Sequence, residues 1–426
     1  MKAIILAGGK GTRLGSKDVP KPMRLIGGKS LLEIQINILK KYDICDIVLI
    51  TGYMSSYIEN YFGDGSNLGV NISYFIEKEP LGTTGGIKAI EKQLREDFFV
   101  IYGDVIFDID LDNLKKFHAE KNSECTLVLH PNDHPDDSDL VEIDSNNRII
   151  NFYPKYRNKN NYYRNLVNAA IYIFSPSILQ YIESGKKSDF GKDIFPFIFD
   201  KLKMFGYITA EYIKDIGTPY RLQKVTEDYL SGKIERMNMI NKRKAVFLDR
   251  DGVINVEKNI ICRSDDFELL PLVVEAIKLI NDTEYLVVVV TNQPGIAKNM
   301  CSIGELQIIH NKMEYLLGKM NAKIDAIYYC PHHPDIGFKE ENRKYKIKCS
   351  CRKPEPGMIL QAVKDFNIDL NSSFIIGDSY RDIECGKRIG LTTIGVKTGY
   401  GCMDNDCNPD HIFDNLLDAA NFICNS

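Results

Sequence analysis

Residues 245–255 read Ala-Val-Phe-Leu-Asp-Arg-Asp-Gly-Val-Ile-Asn. Four consecutive apolar residues suit a central strand buried on both faces of a parallel sheet. The run stops at Asp249, and Asp251 follows two residues later. Residues i and i+2 of an extended chain share a face, so two carboxylates converge where the strand ends, an arrangement that calls for a cation between them. Downstream the alternation continues, with apolar runs at Leu286–Thr291, Ala326–Tyr329, Phe374–Gly377 and Thr392–Val396 separated by helical stretches. Strands and helices in this order predict a doubly wound α/β domain.

Upstream, residues 229–244 (YLSGKIERMNMINKRK) are polar and without strand character. They place a boundary near residue 236, between one domain over 1–235 and a second over 236–426. The first domain also alternates: strands at Lys2–Ala7, Ile47–Ile50, Ile72–Ile76 and Phe98–Tyr102, with helical segments near Tyr57–Phe62 and Gly86–Leu94. Residues 30–41 carry apolar side chains at helical spacing, with Ser30 as N-cap and Glu33 completing a capping box. Thr126–His130, Val167–Phe174 and Tyr207–Tyr212 extend the sheet or add a flap. The fold class expected is therefore α/β, as two tandem doubly wound domains.

The 426 residues are 44% hydrophobic and 26% charged, enough to bury sizeable cores and incompatible with disorder or low complexity. Lysine and arginine number 54 against 58 acidic residues, so no basic excess points to nucleic acid or an anionic membrane. The N-terminus lacks the long apolar core of a signal peptide, and the most apolar stretch, Tyr285–Val290, is far short of the ~20 residues that span a bilayer. A cytoplasmic protein is expected. Nine of the 11 cysteines lie beyond residue 260; that clustering suggests a local metal site rather than a disulfide framework.

Directly after the first strand comes Ala7-Gly8-Gly9-Lys10-Gly11-Thr12-Arg13-Leu14. Glycines there let backbone N–H groups approach phosphates, and Arg13 adds a forked cationic donor. Lys21 stands between Pro20 and Pro22, which hold its segment extended. The ordered set GGKGTRL, PKPM, EPLGTTGGI (79–87), Gly103-Asp104 and Asp215-Ile216-Gly217-Thr218-Pro219 resembles the sugar-1-phosphate nucleotidyltransferases over residues 1–230. It is most similar to the D-glycero-α-D-manno-heptose-1-phosphate guanylyltransferase branch, through IEKEPLGTTGGI and GDVIFDIDL. The resemblance implies a Rossmann-like domain that binds a nucleoside triphosphate, with GTP favoured, and a sugar phosphate. Asp104 and Asp215 would hold Mg²⁺. Arg13 and the Ala7–Thr12 loop (Ala7, Gly8, Gly9, Gly11, Thr12) would cradle the triphosphate, Lys21 would bridge toward the incoming phosphate, and Gly82 would lie under the base. Two departures bear on the sugar pocket. Asn151-Phe152-Tyr153-Pro154-Lys155 replaces the family's Phe-x-Glu-Lys-Pro, leaving Lys155 as the carry-over, and Asn168-Ala169-Ala170 stands where Asn-Ala-Gly is common.

In the second half, Asp249/Asp251, Thr291-Asn292, Lys353 within RKPEPG, and Gly377-Asp378 with Asp382 follow the order of the haloacid dehalogenase superfamily phosphatases over residues 243–400, which they resemble. The resemblance implies Asp249 as nucleophile and Asp251 as general acid and base. Mg²⁺ would be held by Asp249, Asp378 and Asp251 (through its carbonyl), and phosphoryl oxygens by Thr291, Asn292 and Lys353. Three thiols and an imidazole at Cys330, His332, Cys349 and Cys351 match a closed structural zinc site; His333 is adjacent, and the family pattern favours His332. The zinc loop and the Arg352–Met358 ending resemble the branch that holds heptose-bisphosphate 7-phosphatases and histidinol-phosphate phosphatases, nearer the former. Arg352 would contact the substrate's remaining phosphate.

Overall fold

The computed structural model describes residues 1–9, 19–155, 157, 161–337, 340–403 and 406–425. Two compact units emerge: Met1–His130, Ser138–Lys155 and Leu166–Asn238 form the first, and Pro131–Asp137, Tyr156–Asn165 and Met239–Ser426 the second. A contiguous 1–235 domain would place the two short segments around residues 131–137 and 156–165 in the first unit instead.

The first unit is built on a nine-stranded sheet. Its parallel half comprises β1 (Lys2–Leu6), β2 (Asp46–Thr51), β3 (Asn71–Ile76) and β4 (Phe98–Tyr102), in the spatial order β3-β2-β1-β4. The helix α1 (Leu31–Lys41) joins β1 to β2 and buries Leu32, Ile36 and Leu39. Ser30 caps it by accepting the Glu33 N–H at 3.1 Å. The expected capping box is only half made, because the Glu33 carboxylate takes the Tyr61 hydroxyl at 2.9 Å. Past β4 the chain turns into β5 (Val105–Asp108), then β6 (Cys125–His130) and β7 (Val167–Phe174). β7 runs antiparallel to β4 and to β6, so the sheet is mixed rather than parallel throughout. The single strand expected over Tyr207–Tyr212 is two: β8 (Met204–Ile208) joins β6 in the main sheet, and β9 (Tyr212–Asp215) pairs with β5 as a separate ribbon. The break falls where Thr209 and the buried Glu211 hydrogen-bond each other and Glu211 accepts the Asp110 N–H.

The second unit holds a six-stranded sheet made of β10 (Ala245–Leu248), β11 (Leu286–Asn292), β12 (Ala326–Cys330), β13 (Phe374–Gly377), β14 (Thr392–Val396) and β15 (His411–Phe413). All neighbours are parallel, in the order β12-β11-β10-β13-β14-β15. Every residue of β10 is fully buried, as the apolar run requires. The edge strand β15 has no apolar run long enough to announce it. The long helix Ile303–Gly318 opens on a full capping box between Ser302 and Glu305.

In both parallel arrays the first strand lies between the second and the fourth, so successive connections leave in opposite directions on its two sides. Such switch points leave a crevice beyond the strands' carboxyl ends, where ligands of α/β sheets bind. Gly8 and Asp104 follow β1 and β4; Asp249 and Asp378 follow β10 and β13. No helix among the described residues is long and apolar enough to cross a membrane.

Candidate active sites

In the first unit, Ala7 and Gly8 leave β1 with the Ala7 N–H on the Ile50 carbonyl at 2.7 Å. Gly8 and Gly9 are described; Gly11, Thr12 and Arg13 lie outside the described residues. The Lys21 ammonium is 2.5 Å from the Asp104 carboxylate. β9 and β5 pair with Asp215 opposite Val105, and the Ile216 N–H reaches the Asp104 carbonyl at 3.1 Å, so the two aspartates stand side by side. Asp215 accepts the Arg221 guanidinium and the Gly217 N–H, each at 2.7 Å. Burial alone would raise its carboxyl, but Arg221, Gly217 and the charge of Lys21 outweigh it and hold Asp215 below the ordinary range. Two aspartates on adjoining main chains, both within reach of the Lys21 charge, fit a magnesium that draws its other ligands from water and substrate phosphates.

Other expected residues of this half have different surroundings. Gly82 has φ +78°, and a Cβ there would stand 2.1 Å from the Ser188 carbonyl, so its need for glycine comes from the Ser188 backbone. Ala170 occupies left-handed space at φ +58°, where a non-glycine residue costs roughly 1–2 kcal/mol. Asn168 braces it by accepting the Ala170 N–H at 3.1 Å, beside a register shift in β7. Lys155 donates its backbone N–H to Asp139 at 3.0 Å. Glu77, which the motifs did not single out, ends β3 beside the glycine loop: a Cβ on Gly8 would lie 3.5 Å from its carboxylate. Burial raises this carboxyl, opposed by the N–H groups of Leu81 and Gly86.

In the second unit, one carboxylate oxygen from each of Asp249, Asp378 and Asp382 lies within 4.8 Å of the others. Lys353 bridges two of them, its ammonium 2.9 Å from Asp249 and 2.5 Å from Asp382. Asp378 is lodged against Gly252 and Gly399, since a Cβ on either would come 2.0 Å from its oxygen, and it accepts the Tyr400 N–H at 2.8 Å. Burial, then Asp382, push Asp249 up to about 7 despite Lys353. Burial, then Asp249 and Asp382, push Asp378 up to about 8. Burial would lower Lys353, but the two aspartates raise it instead. Three desolvated carboxylates with one lysine between them are short of positive charge, which fits a divalent oxygen-liganded cation.

The Asp251 side chain is turned to other partners. Arg250, wholly buried, grips it with two bonds of 2.9 Å, while Asn255 and Gln293 donate at 3.0 and 2.8 Å. Burial alone would raise this carboxyl, and the Arg250 fork and amides bring it below the ordinary range. Gln293 also donates to the Thr291 hydroxyl at 2.9 Å. Asn292 uses both ends of its amide on the Lys353 main chain, at 3.1 and 3.0 Å, and so places the lysine. Asp382 was legible as part of a Gly-Asp-x-x-x-Asp run but not as a member of the carboxylate cluster; its position four residues after Asp378, on the first helical turn, is the signal. The holders of Asp251 have no local sequence signature.

The Cys330, His332, Cys349 and Cys351 side chains form a second cluster. Sulfur and nitrogen atoms are 3.1–3.7 Å apart, close to the ~3.8 Å sulfur–sulfur edge of a zinc tetrahedron. His332 rather than His333 faces it, and all 11 cysteines are free thiols.

Comparison with known proteins finds two families along the chain. The nucleotidyl transferase family model matches residues 2–232, and the HAD-hydrolase-like model matches residues 350–419. The D-glycero-alpha-D-manno-heptose 1-phosphate guanylyltransferase of Campylobacter jejuni is 38% identical over 221 residues, 51% of this chain and 96% of its own length. The D-glycero-beta-D-manno-heptose-1,7-bisphosphate 7-phosphatase of Pasteurella multocida is 37% identical over 183 residues, 42% of this chain and 97% of its own. A Photorhabdus laumondii 7-phosphatase named for the alpha anomer is 42% identical over 161 residues, 38% of this chain and 86% of its own. The chain thus belongs to the nucleotidyl transferase family through its first half and to the haloacid dehalogenase-like phosphatases through its second, two enzymes on one polypeptide.

Proposed function

We propose that the protein carries out two consecutive steps of heptose activation. The second unit removes the 7-phosphate of D-glycero-α-D-manno-heptose 1,7-bisphosphate; the first joins GMP from GTP to the resulting heptose 1-phosphate, releasing pyrophosphate. The observation that carries this reading is that one chain spans 86% of a 7-phosphatase named for the alpha anomer and 96% of a guanylyltransferase whose named substrate is the 1-phosphate that such a phosphatase would leave. The guanylyltransferase relative is named for the alpha anomer and phosphatase relatives for both, so the pairing selects alpha.

In the phosphatase, the Asp249 carboxylate attacks phosphorus and the bond to the sugar oxygen breaks. Asp251 supplies the proton to that oxygen and then takes one from the water that cleaves the aspartyl-phosphate. The Arg250 fork favours the ionised Asp251 needed for the water step; the approaching phosphate's negative charge raises its proton affinity for the first. Lys353 and the Thr291 hydroxyl neutralise phosphoryl oxygens. Mg²⁺ at Asp249, Asp378 and Asp382 would supply the charge that lets one anion approach another. Zn²⁺ at Cys330, His332, Cys349 and Cys351 would tie the loop ahead of Arg352 and Lys353.

In the transferase, the sugar phosphate oxygen attacks the α-phosphorus in line and pyrophosphate leaves, a reaction governed by positioning and charge. Lys21 and Arg13 would contact the phosphates, and Mg²⁺ at Asp104 and Asp215 would share their charge. Glu77 is the proposed reader of guanine, because a carboxylate accepts the base's N1–H and N2–H together.

Phosphorus NMR of the protein with Mg²⁺, the α-bisphosphate and mixed nucleoside triphosphates tests the whole reading. Loss of the 7-phosphate followed by pyrophosphate and GDP-heptose is expected. Asp249→Asn should stop phosphate release and spare nucleotidyl transfer, and Asp104→Ala should do the reverse. An unchanged wild-type spectrum would refute the heptose assignment.

A further inference from the structure

Two carboxylates face Gly191 in the first unit: a Cβ there would lie 3.4 Å from Asp139 Oδ2 and 3.4 Å from Asp189 Oδ1. Asp189 is fully committed. Its Oδ1 accepts the Gly191 and Lys192 N–H groups at 3.0 and 3.3 Å, and its Oδ2 accepts the Thr83 hydroxyl at 3.1 Å. Asp139 is only half used. Its Oδ1 accepts the Lys155 N–H at 3.0 Å, and among the described residues no group donates to Oδ2. A side chain at position 191 would cover that oxygen. Glycine leaves it open, and both residues are partly exposed.

Asp139 also stands where the expected sugar-phosphate residues converge. It immediately precedes the strand Leu140–Ile143, whose first residue lies opposite Val167 at the start of β7. Its carbonyl accepts the Asn168 N–H at 3.3 Å, while its carboxylate holds the main chain of Lys155. One residue thus joins the two positions that the resemblance assigns to the sugar phosphate. The 151–155 stretch lacks the family motif's glutamate, so Asp139 is the carboxylate this chain brings beside Lys155. An ionised carboxylate only accepts hydrogen bonds. It repels a phosphate and pairs with a donor, which on a sugar 1-phosphate is a hydroxyl.

We propose that Asp139 is a specificity residue of the transferase: its open Oδ2 accepts one hydroxyl of the sugar 1-phosphate and selects against sugars that lack it. This rests on the sugar-1-phosphate reading given above and on the substrate lying at Lys155 and Asn168. It gives the reading of the sugar to a side chain outside the motifs quoted above.

The test measures nucleotidyl transfer from GTP by the full chain, wild type against Asp139→Ala, with heptose 1-phosphate and its monodeoxy analogues. Mannose 1-phosphate and its monodeoxy analogues form a second series. Losing a hydrogen bond to a charged acceptor corresponds to roughly 10- to 100-fold in affinity. Asp139→Ala should therefore lower kcat/KM by about that factor, chiefly through KM, for the parent sugar and for every analogue except one. The exception lacks the hydroxyl that Asp139 reads, so it should be a poor substrate of the wild type and unchanged by the substitution. A uniform loss across all sugars would mean that Asp139 only braces Lys155, and would overturn the proposal, as would no loss at all. If the mannose series shows the single exception while the heptose compounds are inert, the role of Asp139 stands and the heptose reading falls. If neither series is turned over, the transferase reading falls and the role of Asp139 with it. A matching thermal midpoint should show that Asp139→Ala is folded; if it is not, Asp139→Asn, which keeps an oxygen for the Lys155 N–H, decides the question by the same ratios.

Discussion

The Lys353 ammonium stands 2.9 Å from the Asp249 carboxylate, although the two lie more than a hundred residues apart in the sequence. Asp249 ends the central strand, whereas Lys353 leaves the loop that carries Cys349 and Cys351. The proposed nucleophile, its cationic partner and the thiol cluster are thus mechanically continuous. Lys353 is also the only cation touching Asp382 among the described residues, so it neutralises two of the three clustered carboxylates at once.

Removing that charge while keeping the stem tests the relationship. Breaking one partner out of a buried ion pair typically costs 3–5 kcal/mol. Lys353→Met should therefore lower the thermal midpoint of metal-free protein and abolish phosphate release, while nucleotidyl transfer persists at temperatures where the protein remains folded. Calorimetry and the two separate assays check this; an unchanged midpoint would show that the aspartates do not depend on the lysine.

The raised carboxyls of Asp249 and Asp378, at about 7 and 8, set a pH dependence for metal-free protein. Both groups bind protons more tightly folded than unfolded, where a carboxyl titrates near 4. Between about pH 4 and 8 the folded state holds the extra protons, so stability falls as pH rises through that window. A divalent cation competes with those protons. The increase in melting temperature produced by Mg²⁺ should therefore be larger at pH 8 than at pH 6, as thermal melts with and without the ion will show. A Mg²⁺ effect independent of pH would mean that the ion binds elsewhere.

The thiol cluster predicts one tightly held zinc per chain, lost in Cys351→Ser. Because Arg352 donates to the His332 carbonyl and Lys353 follows directly, loss of the metal should weaken phosphate release more than nucleotidyl transfer. Metal content by elemental analysis, with both activities measured after chelation and re-addition of zinc, is the check. Full phosphatase activity in a zinc-free protein would refute the coupling.

Much of this was legible because both sites lie where apolar strands stop at charged residues. The apolar runs of β10, β13 and β4 could be read as buried strands, and the family resemblances put Asp249, Asp378 and Asp104 at their ends. What escaped was set by contacts remote in sequence. Glu33 looked like half of a capping box until Tyr61, 28 residues away, supplied its partner. Asp251 was read as an acid and base that lends the metal only its carbonyl, and the partners that hold its side chain, Arg250, Asn255 and Gln293, carry no motif of their own. The antiparallel direction of β7 leaves no trace in its own composition, since a strand buried on both faces reads alike in either direction. Gly82 was readable as a glycine that had to be glycine, but the reason, the Ser188 backbone, lies more than a hundred residues on.

Glu77 gives the sharpest test of the first unit. Among the common bases, guanine alone presents an N1–H and an N2–H side by side, which an ionised carboxylate accepts as a pair; uracil and thymine offer one ring N–H, and adenine and cytosine an amine beside an acceptor. Glutamine keeps the size but turns an N–H₂ group toward those donors. Glu77→Gln should therefore reduce kcat/KM for GTP by roughly 10- to 100-fold, the order expected for losing bonds to a charged acceptor, and reduce UTP and CTP far less, collapsing the preference. The competing role is structural: the N–H groups of Leu81 and Gly86 lie close enough to lower this carboxyl against the effect of burial, so Glu77 can also steady the 79–87 loop. If steadying is its whole function, all four nucleoside triphosphates will decline by one common factor. Steady-state kinetics with each nucleotide, at saturating heptose 1-phosphate, separates the two roles: a changed ratio assigns Glu77 to the base, and a uniform loss assigns it to the loop.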